Sequence, residues 1–224
     1  IYSFVRGNVE WDGLYRVYPN ESFKNVLEKK KGSSAEINLM LVCMMQKAGL
    51  TANPVLISTR DHGFVRRELP VASQFNYVIA AVELDGKSIL LDATERSLPI
   101  NILPQRCLNG EGFTISPDKA GWVSLTPVKS RSANSMELTL ASDGTLSGKA
   151  QFSHDGYFAQ RARTNYFRKG QEEYIKGVKS SYGWEIESSN FENLEKLSES
   201  MKEIYQVKLN EHVQAAEGTL YINP

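Results

Sequence analysis

The sequence predicts an α+β fold, in which a buried helix packs on an antiparallel sheet and a smaller, β-rich α+β unit follows. Three observations support this prediction. Residues 33–49 are apolar on almost every side of a helix, which is typical of a buried helix. Two strand-like runs flank Asp85-Gly86, a dipeptide preferred in two-residue hairpin turns. A second hairpin pattern surrounds Asp143-Gly144.

The composition indicates a globular protein without a strongly charged partner. The 224 residues are 41% apolar, enough to fill a sizeable core. Basic and acidic residues number 26 each, so the formal net charge is zero and we expect no nucleic-acid binding. No apolar run is long enough to cross a membrane. The chain begins at Ile1 without a Met, and we expect it to be a processed piece of a longer protein.

Two consecutive helices are predicted in the N-terminal part. The first covers residues 20–32, with a polar cap at its start and Gly32 as its stop. The second begins immediately afterwards, because Ser33 and Glu36 have the spacing of a capping box. Ser33 is then the N-cap, and Ser34 lies in the first turn of the buried helix.

A β-hairpin over residues 74–94 is the clearest structural signal, and a short strand precedes it at 53–59. Both arms are apolar on both faces, which predicts a covered sheet. With a two-residue turn, residue 84 faces residue 87. Side chains alternate between faces along a strand, so this register places Tyr77 on the same face as Asp92 and Asn76 on the other.

A boundary is predicted where polar and turn residues cluster after Thr126, dividing the chain into units of residues 1–126 and 127–224. The second unit is expected to contain the hairpin at Asp143-Gly144. Two helices and two further strands should follow, near residues 156–170, 171–183, 184–191 and 201–210.

The stretch GSSAEINLMLVCMMQKAGL, followed by the FNYVIA and LLDAT arms of the hairpin, resembles the transglutaminase-like (papain-like thiol) superfamily. In that family a Gly-x-Cys opens a buried helix, a later strand carries a His, and the next strand carries an Asp. The most similar subgroup consists of bacterial, mostly Bacteroidetes, periplasmic or surface proteins, in which this domain stands between two families of unknown function. The resemblance covers roughly residues 1–115. It implies that Ser34, Tyr77 and Asp92 occupy the Cys, His and Asp positions.

Two of these three positions depart from the family, and both substitutions oppose catalysis. A serine hydroxyl is much less acidic than a thiol and needs a general base. A phenol with a pKa near 10 is protonated at neutral pH and is a poor base, and a hydrogen bond to Asp92 would hold it neutral. The resemblance therefore implies an inactive domain that binds or assembles with a protein, peptide or glycan. It also implies an extracytoplasmic location, in the periplasm or at the cell surface.

Two alternatives remain open. Ser34 could serve an active peptidase, amidase or acyltransferase with a non-standard base, either His62 in the loop before the hairpin or a residue from a missing segment or a partner. The three positions could also be ordinary structural residues. Cys43 lies on the opposite face of the buried helix from Ser34 and cannot replace it.

The remaining chemistry-bearing residues predict no further site. Cys107 lies in a loop and carries no signal, whereas His154 and His212 are expected to be structural or solvated. The sequence has no glycine-rich phosphate loop and no metal-ligand spacing, so no cofactor and no metal are predicted.

Overall fold

A computed structural model describes residues 1–68, 71–209, 213–216 and 219–222, the last two segments by their backbone only. The fold mixes helices with antiparallel sheet, as expected for the α+β class. Two compact units are present, residues 1–128 and 129–224. The sequence places this boundary after residue 126. Among the described residues, no helix combines the length and apolar character needed to span a membrane.

In the described part of the first unit there are three α-helices and seven strands. In chain order these are α1 (Tyr2–Asn8), β1 (Glu10–Trp11), α2 (Phe23–Lys29), β2 (Lys31–Gly32), α3 (Ser34–Lys47), β3 (Ala52–Ile57), β4 (Tyr77–Leu84), β5 (Lys87–Leu91), β6 (Glu111–Thr114) and β7 (Gly121–Ser124). Five strands form an antiparallel sheet in the order β5-β4-β3-β6-β7, while β1 and β2 form a short parallel pair.

The starts and ends of the two central helices follow their capping residues. Helix α3 has the predicted capping box between Ser33 and Glu36. Helix α2 begins after Ser22, but the predicted stop at Gly32 is wrong. Lys30 adopts a left-handed conformation with φ 53° and ends the helix, which frees Lys31 and Gly32 to pair with β1.

The hairpin has the predicted register. Asp85 and Gly86 both have positive φ, 51° and 73°, as a type I′ turn requires, and Leu84 pairs with Lys87. The prediction that both arms are covered holds only for β4, whose residues 77–82 are buried. β5 lies at the edge of the sheet and its first residues are exposed, so there it is wrong.

The two faces of β4 contribute to different parts of the core. Ala80 and Val82 join a cluster with the apolar residues of α1 to α3. Tyr77, Ile79 and Ala81 point the other way and pack against the segment that includes Leu103 and Cys107. The face that carries Tyr77 is therefore not the face on which the body of α3 packs.

The second unit contains β8 (Ser132–Leu140), β9 (Leu146–His154), α4 (Gly156–Lys169), α5 (Gln171–Tyr182), β10 (Glu185–Glu192), β11 (Met201–Leu209), β12 (Val213–Ala216) and β13 (Thr219–Ile222). β8 to β11 form an antiparallel sheet in the order β10-β11-β9-β8, and β12 pairs with β13. The predicted helices and strands of this unit are thus present, and the first hairpin closes through residues 141–145. His212 lies outside the described residues.

Candidate functional site

Ser34 lies at the N-terminus of α3 and is fully buried. Its Oγ accepts a hydrogen bond from the backbone amide of Arg16 at 2.8 Å and donates one to the Arg16 carbonyl oxygen at 3.0 Å. Its own amide donates to the Leu14 carbonyl at 3.2 Å. The hydroxyl proton is therefore committed to a backbone carbonyl, and the segment 14–16 lies directly against the helix N-terminus.

Glu36 holds the same region together. One of its carboxylate oxygens accepts from the Ser33 amide at 2.7 Å, and the other accepts from the amides of Asn20 and Glu21 at 3.0 and 3.1 Å. Burial by itself raises the pKa of Glu36, but these backbone hydrogen bonds outweigh it and lower the pKa below its usual value. Glu36 thus ties the chain before α2 to the start of α3.

Tyr77 and Asp92 are in direct contact, and the hairpin register predicts that they share a face of the sheet. The Tyr77 hydroxyl donates to Asp92 Oδ2 at 2.9 Å and lies 2.9 Å from Thr94 Oγ1. Burial first, and then the charge of Asp92, raise the pKa of Tyr77 well above its usual value. The phenol is therefore protonated at neutral pH and acts as a donor to the carboxylate.

The other carboxylate oxygen of Asp92 also accepts hydrogen bonds. Oδ1 accepts from Asn38 Nδ2 at 3.0 Å, from the Thr94 amide at 3.0 Å and from Thr94 Oγ1 at 2.7 Å. Asn38 also donates to the Val78 carbonyl and accepts from the Ala93 amide. This amide therefore joins α3 to β4 and to the turn that carries Asp92.

Two further side chains complete the surroundings of Asp92. Arg106 Nη2 lies 3.6 Å from Asp92 Oδ2 and donates to Thr94 Oγ1 at 2.6 Å, and its guanidinium lies over the Trp11 ring at 4.4 Å. The Cys107 thiol donates to Asp92 Oδ2 at 3.5 Å. Burial, followed by the adjacent Asp92, raises the pKa of this thiol well above its usual value. Cys107 is therefore held as a neutral thiol and not as a nucleophilic thiolate.

The structure brings two of the three predicted positions into direct contact. Within the described residues, the hydrogen bonds of the Ser34 hydroxyl all go to Arg16, and none goes to Tyr77 or Asp92. Asn38 bonds Asp92 from a position one helical turn after Ser34, about 6 Å along the axis. Tyr15, next to Arg16, presses its ring against Tyr77 with centroids 5.4 Å apart. The segment around Tyr15 and Arg16 therefore contacts both Ser34 and Tyr77.

His62, the alternative base, has other partners. Its Nδ1 lies 3.1 Å from Ser58 Oγ and its amide donates to the Thr59 carbonyl. The imidazole is exposed, whereas Ser34 is fully buried. His62 would have to leave these contacts, and the segment covering Ser34 would have to move, before one could act on the other.

Sequence reasoning missed Asn38, Arg106 and Cys107. A signal existed for Asn38, because it is a polar residue in an otherwise apolar helix and lies four positions after Ser34, on the same face. Cys107 is fully buried at the site, although its loop-like sequence context carries no signal for this. No local pattern marks Arg106 or Cys107, since their contacts depend on how residues 98–110 fold over the sheet.

A surface groove of about 470 Å³ adjoins the segment that covers Ser34. Its walls are residues 15–18 and Asn20 on one side and residues 72, 73, 75 and 76 on the other. Tyr18 is 70% exposed at its rim. The groove is large enough to accept a few residues of an extended chain or a small sugar.

Comparison with known proteins adds no relative to this description, because no family model, no curated protein and no solved structure matches the chain.

Proposed function

We propose that the first unit is a catalytically inactive transglutaminase-like domain that serves as a binding or assembly module of the bacterial cell envelope. The observation that carries the proposal is the state of the Ser34 hydroxyl, which is buried and bonded in both directions to the Arg16 backbone. A nucleophile needs a free lone pair facing solvent or substrate and a base to take its proton. Ser34 has neither in this arrangement.

The second position supports the same proposal. Where the family has a His beside its Asp, Tyr77 donates its proton to Asp92 and has a raised pKa. The carboxylate that would orient a base is instead satisfied by Asn38, Thr94 and Tyr77. A carboxylate whose oxygens already accept these hydrogen bonds stabilises the fold and does not need a catalytic base as a further donor.

The groove beside the site is our candidate for the binding surface. Its lining combines aromatic and amide side chains with the charged side chain of Arg16, which suits a protein, peptide or glycan. The envelope location comes only from the family resemblance and is part of the proposal. The alternative, an active peptidase, amidase or acyltransferase using Ser34, requires the segment 14–16 to open and a base to approach.

Activity measurements on three proteins separate these readings. The wild-type chain, Ser34→Ala and the double variant Ser34→Cys with Tyr77→His are incubated with peptide amides and with glutamine peptides plus a primary amine. We expect the wild type and Ser34→Ala to give the same background rate. Turnover by the wild type that disappears in Ser34→Ala would contradict the proposal. The double variant shows whether a Cys and a His at these two positions give the fold measurable turnover.

Binding is tested by filling the groove. Ser73→Trp places a large side chain between its walls, whereas Ser88→Trp places the same side chain in a separate groove near the edge of the sheet. Both proteins are compared with the wild type against arrays of envelope-derived peptides and glycans. We expect binding to be lost in Ser73→Trp and retained in Ser88→Trp. Equal binding by all three would exclude this groove.

A further inference from the structure

A second polar cluster lies in the other unit, on one face of the four-stranded sheet. Ser132 pairs with His154 across β8 and β9, and Glu203 on β11 pairs with Phe152. Because side chains alternate along a strand, His154 and Phe152 share a face, and Ser132 and Glu203 lie on it as well. Three neighbouring strands thus contribute a hydroxyl, an imidazole and a carboxylate to one row.

The distances along this row suit proton transfer. Ser132 Oγ lies 3.0 Å from His154 Nδ1, and His154 Nε2 lies 3.4 Å from Glu203 Oε1. Burial increases in the same direction: Ser132 is exposed, the His154 side chain is 16% exposed and the Glu203 side chain is 5% exposed. The hydroxyl faces solvent and the carboxylate is protected from it.

Glu203 is held in place by two tyrosines. Tyr174 donates to Oε1 at 2.8 Å and Tyr205 donates to Oε2 at 2.6 Å. Burial alone raises the pKa of Glu203, but hydrogen bonds from His154, Tyr205 and Tyr174 outweigh it and lower the pKa. The carboxylate is therefore ionised at neutral pH and can only accept hydrogen bonds.

An ionised Glu203 favours one tautomer of a neutral His154. An acceptor-only carboxylate beside Nε2 requires the imidazole proton to be on Nε2, and Nδ1 is then left with a lone pair. That lone pair faces the Ser132 hydroxyl. The arrangement has the roles of nucleophile, base and orienting carboxylate, which are recognised by geometry and not by sequence position.

We propose that Ser132 and His154 form a catalytic pair, positioned by Glu203, that cleaves carboxylic esters. As Oγ bonds to the ester carbonyl carbon, the hydroxyl proton moves to Nδ1. When the tetrahedral intermediate collapses, the carbon–oxygen bond to the leaving alcohol breaks and the alcohol takes that proton. Water then attacks the acyl-serine in the same way, which releases the carboxylic acid and restores Ser132.

The position of Ser132 indicates the substrate class. β8 is an edge strand of its sheet, and Ser132 is exposed at the start of that strand. A carbonyl can therefore approach from solvent without entering a closed cavity. Esters of small acids with good leaving groups fit such an open site, since they need little binding energy from remote contacts.

The test uses a fluorophosphonate probe and p-nitrophenyl acetate on the full chain. Attack by Oγ on the probe forms an oxygen–phosphorus bond and expels fluoride, so the label marks the nucleophile. We expect peptide mapping to place the label on Ser132. Both labelling and ester cleavage should be lost in Ser132→Ala and fall by about 100-fold in His154→Gln. Ser135→Ala is the matched control, because Ser135 is exposed on the same strand but on its other face, and it should label normally.

The role of Glu203 is tested by comparing a variant that removes its charge with one that keeps it. Glu203 lies against His154 Nε2 and also binds the phenols of Tyr174 and Tyr205. Glu203→Gln keeps the size of the side chain but removes the carboxylate charge, so labelling of Ser132 should slow, whereas Glu203→Asp keeps a carboxylate and should restore part of the rate. Equal labelling rates in the two folded variants would show that Glu203 does not position the pair.

Two results would overturn the proposal. One is a wild-type rate no higher than that of Ser132→Ala, with every variant shown by circular dichroism to be folded. The other is a label on any residue except Ser132. The proposal does not depend on Ser34, and including Ser34→Ala in the same experiment keeps the two sites distinct.

Discussion

The Tyr77 hydroxyl donates a 2.9 Å hydrogen bond to Asp92 Oδ2, and both side chains are removed from solvent. A buried carboxylate is stable only when its lone pairs are satisfied, so this bond contributes to the fold whether or not the site has any chemistry.

Tyr77→Phe is therefore expected to destabilise the protein by about 1–3 kcal/mol, because it removes a donor from a buried carboxylate and leaves the ring in place. Urea denaturation measures the change. Tyr18→Phe is the control, since Tyr18 is 70% exposed and its substitution should change the free energy of unfolding by less than about 0.5 kcal/mol. Equal effects of the two substitutions would show that the bond to Asp92 is not a significant stabiliser.

The lowered pKa of Glu36 predicts that the free energy of unfolding falls as the pH becomes acidic. Its folded pKa is lowered, so its contribution is complete above the unfolded pKa and is lost as the pH falls through the folded value. Glu36→Gln should cost about 1–3 kcal/mol at pH 7, and the difference from the wild type should shrink at pH 3. Glu28→Gln, on an exposed side chain of α2, should show little difference at either pH. A wild-type advantage that grows in acid would contradict this assignment.

The two cysteines should react at different rates. Cys43 is half-buried and lines a groove of about 530 Å³ between α2 and α3, whereas Cys107 is fully buried and its pKa is raised. Iodoacetamide should modify Cys43 in the native protein and Cys107 only in denaturant, because the thiolate is the reactive form. Intact mass followed by peptide mapping measures both rates, and Cys43→Ser should resist modification until it unfolds. Comparable native rates would disprove the burial of Cys107.

Replacing two glycines of the second unit by alanine should change the free energy of unfolding in opposite directions. A Cβ at Gly148 would overlap the backbone carbonyl oxygen of Glu137 on the adjacent strand, so Gly148→Ala should destabilise by at least about 2 kcal/mol. Gly177 lies inside α5 with open space around it, since only Lys169 Nζ approaches, at 3.9 Å. Gly177→Ala should therefore stabilise by about 0.5–1 kcal/mol. Thermal unfolding of both variants gives the signs, and matching signs would refute the packing of β9 against β8.

Features that depend on residues close together in the chain could be predicted from the sequence, whereas contacts between distant segments could not. The capping box at Ser33 and Glu36 spans three positions, and the Asp85-Gly86 turn sets the pairing of its own two strands. The sequence predicts both features, and the register set by the turn predicts that Tyr77 and Asp92 share a face of the sheet. Helix α1 and the exposed edge of β5 were not foreseen, because propensity and periodicity do not show which neighbours an element finds.

The sequence by itself determined the α+β class, the start of α3 and the face shared by Tyr77 and Asp92, since all of these depend on local capping, turn chemistry and alternation. Only the tertiary structure decided that the Ser34 hydroxyl bonds to the Arg16 backbone and that Asn38 and Cys107 donate to Asp92. It also decided that Ser132, His154 and Glu203 lie next to one another on one face of a sheet. These contacts join segments far apart in the chain. Their geometry comes from the packing of whole elements, for which a single sequence carries no local signal.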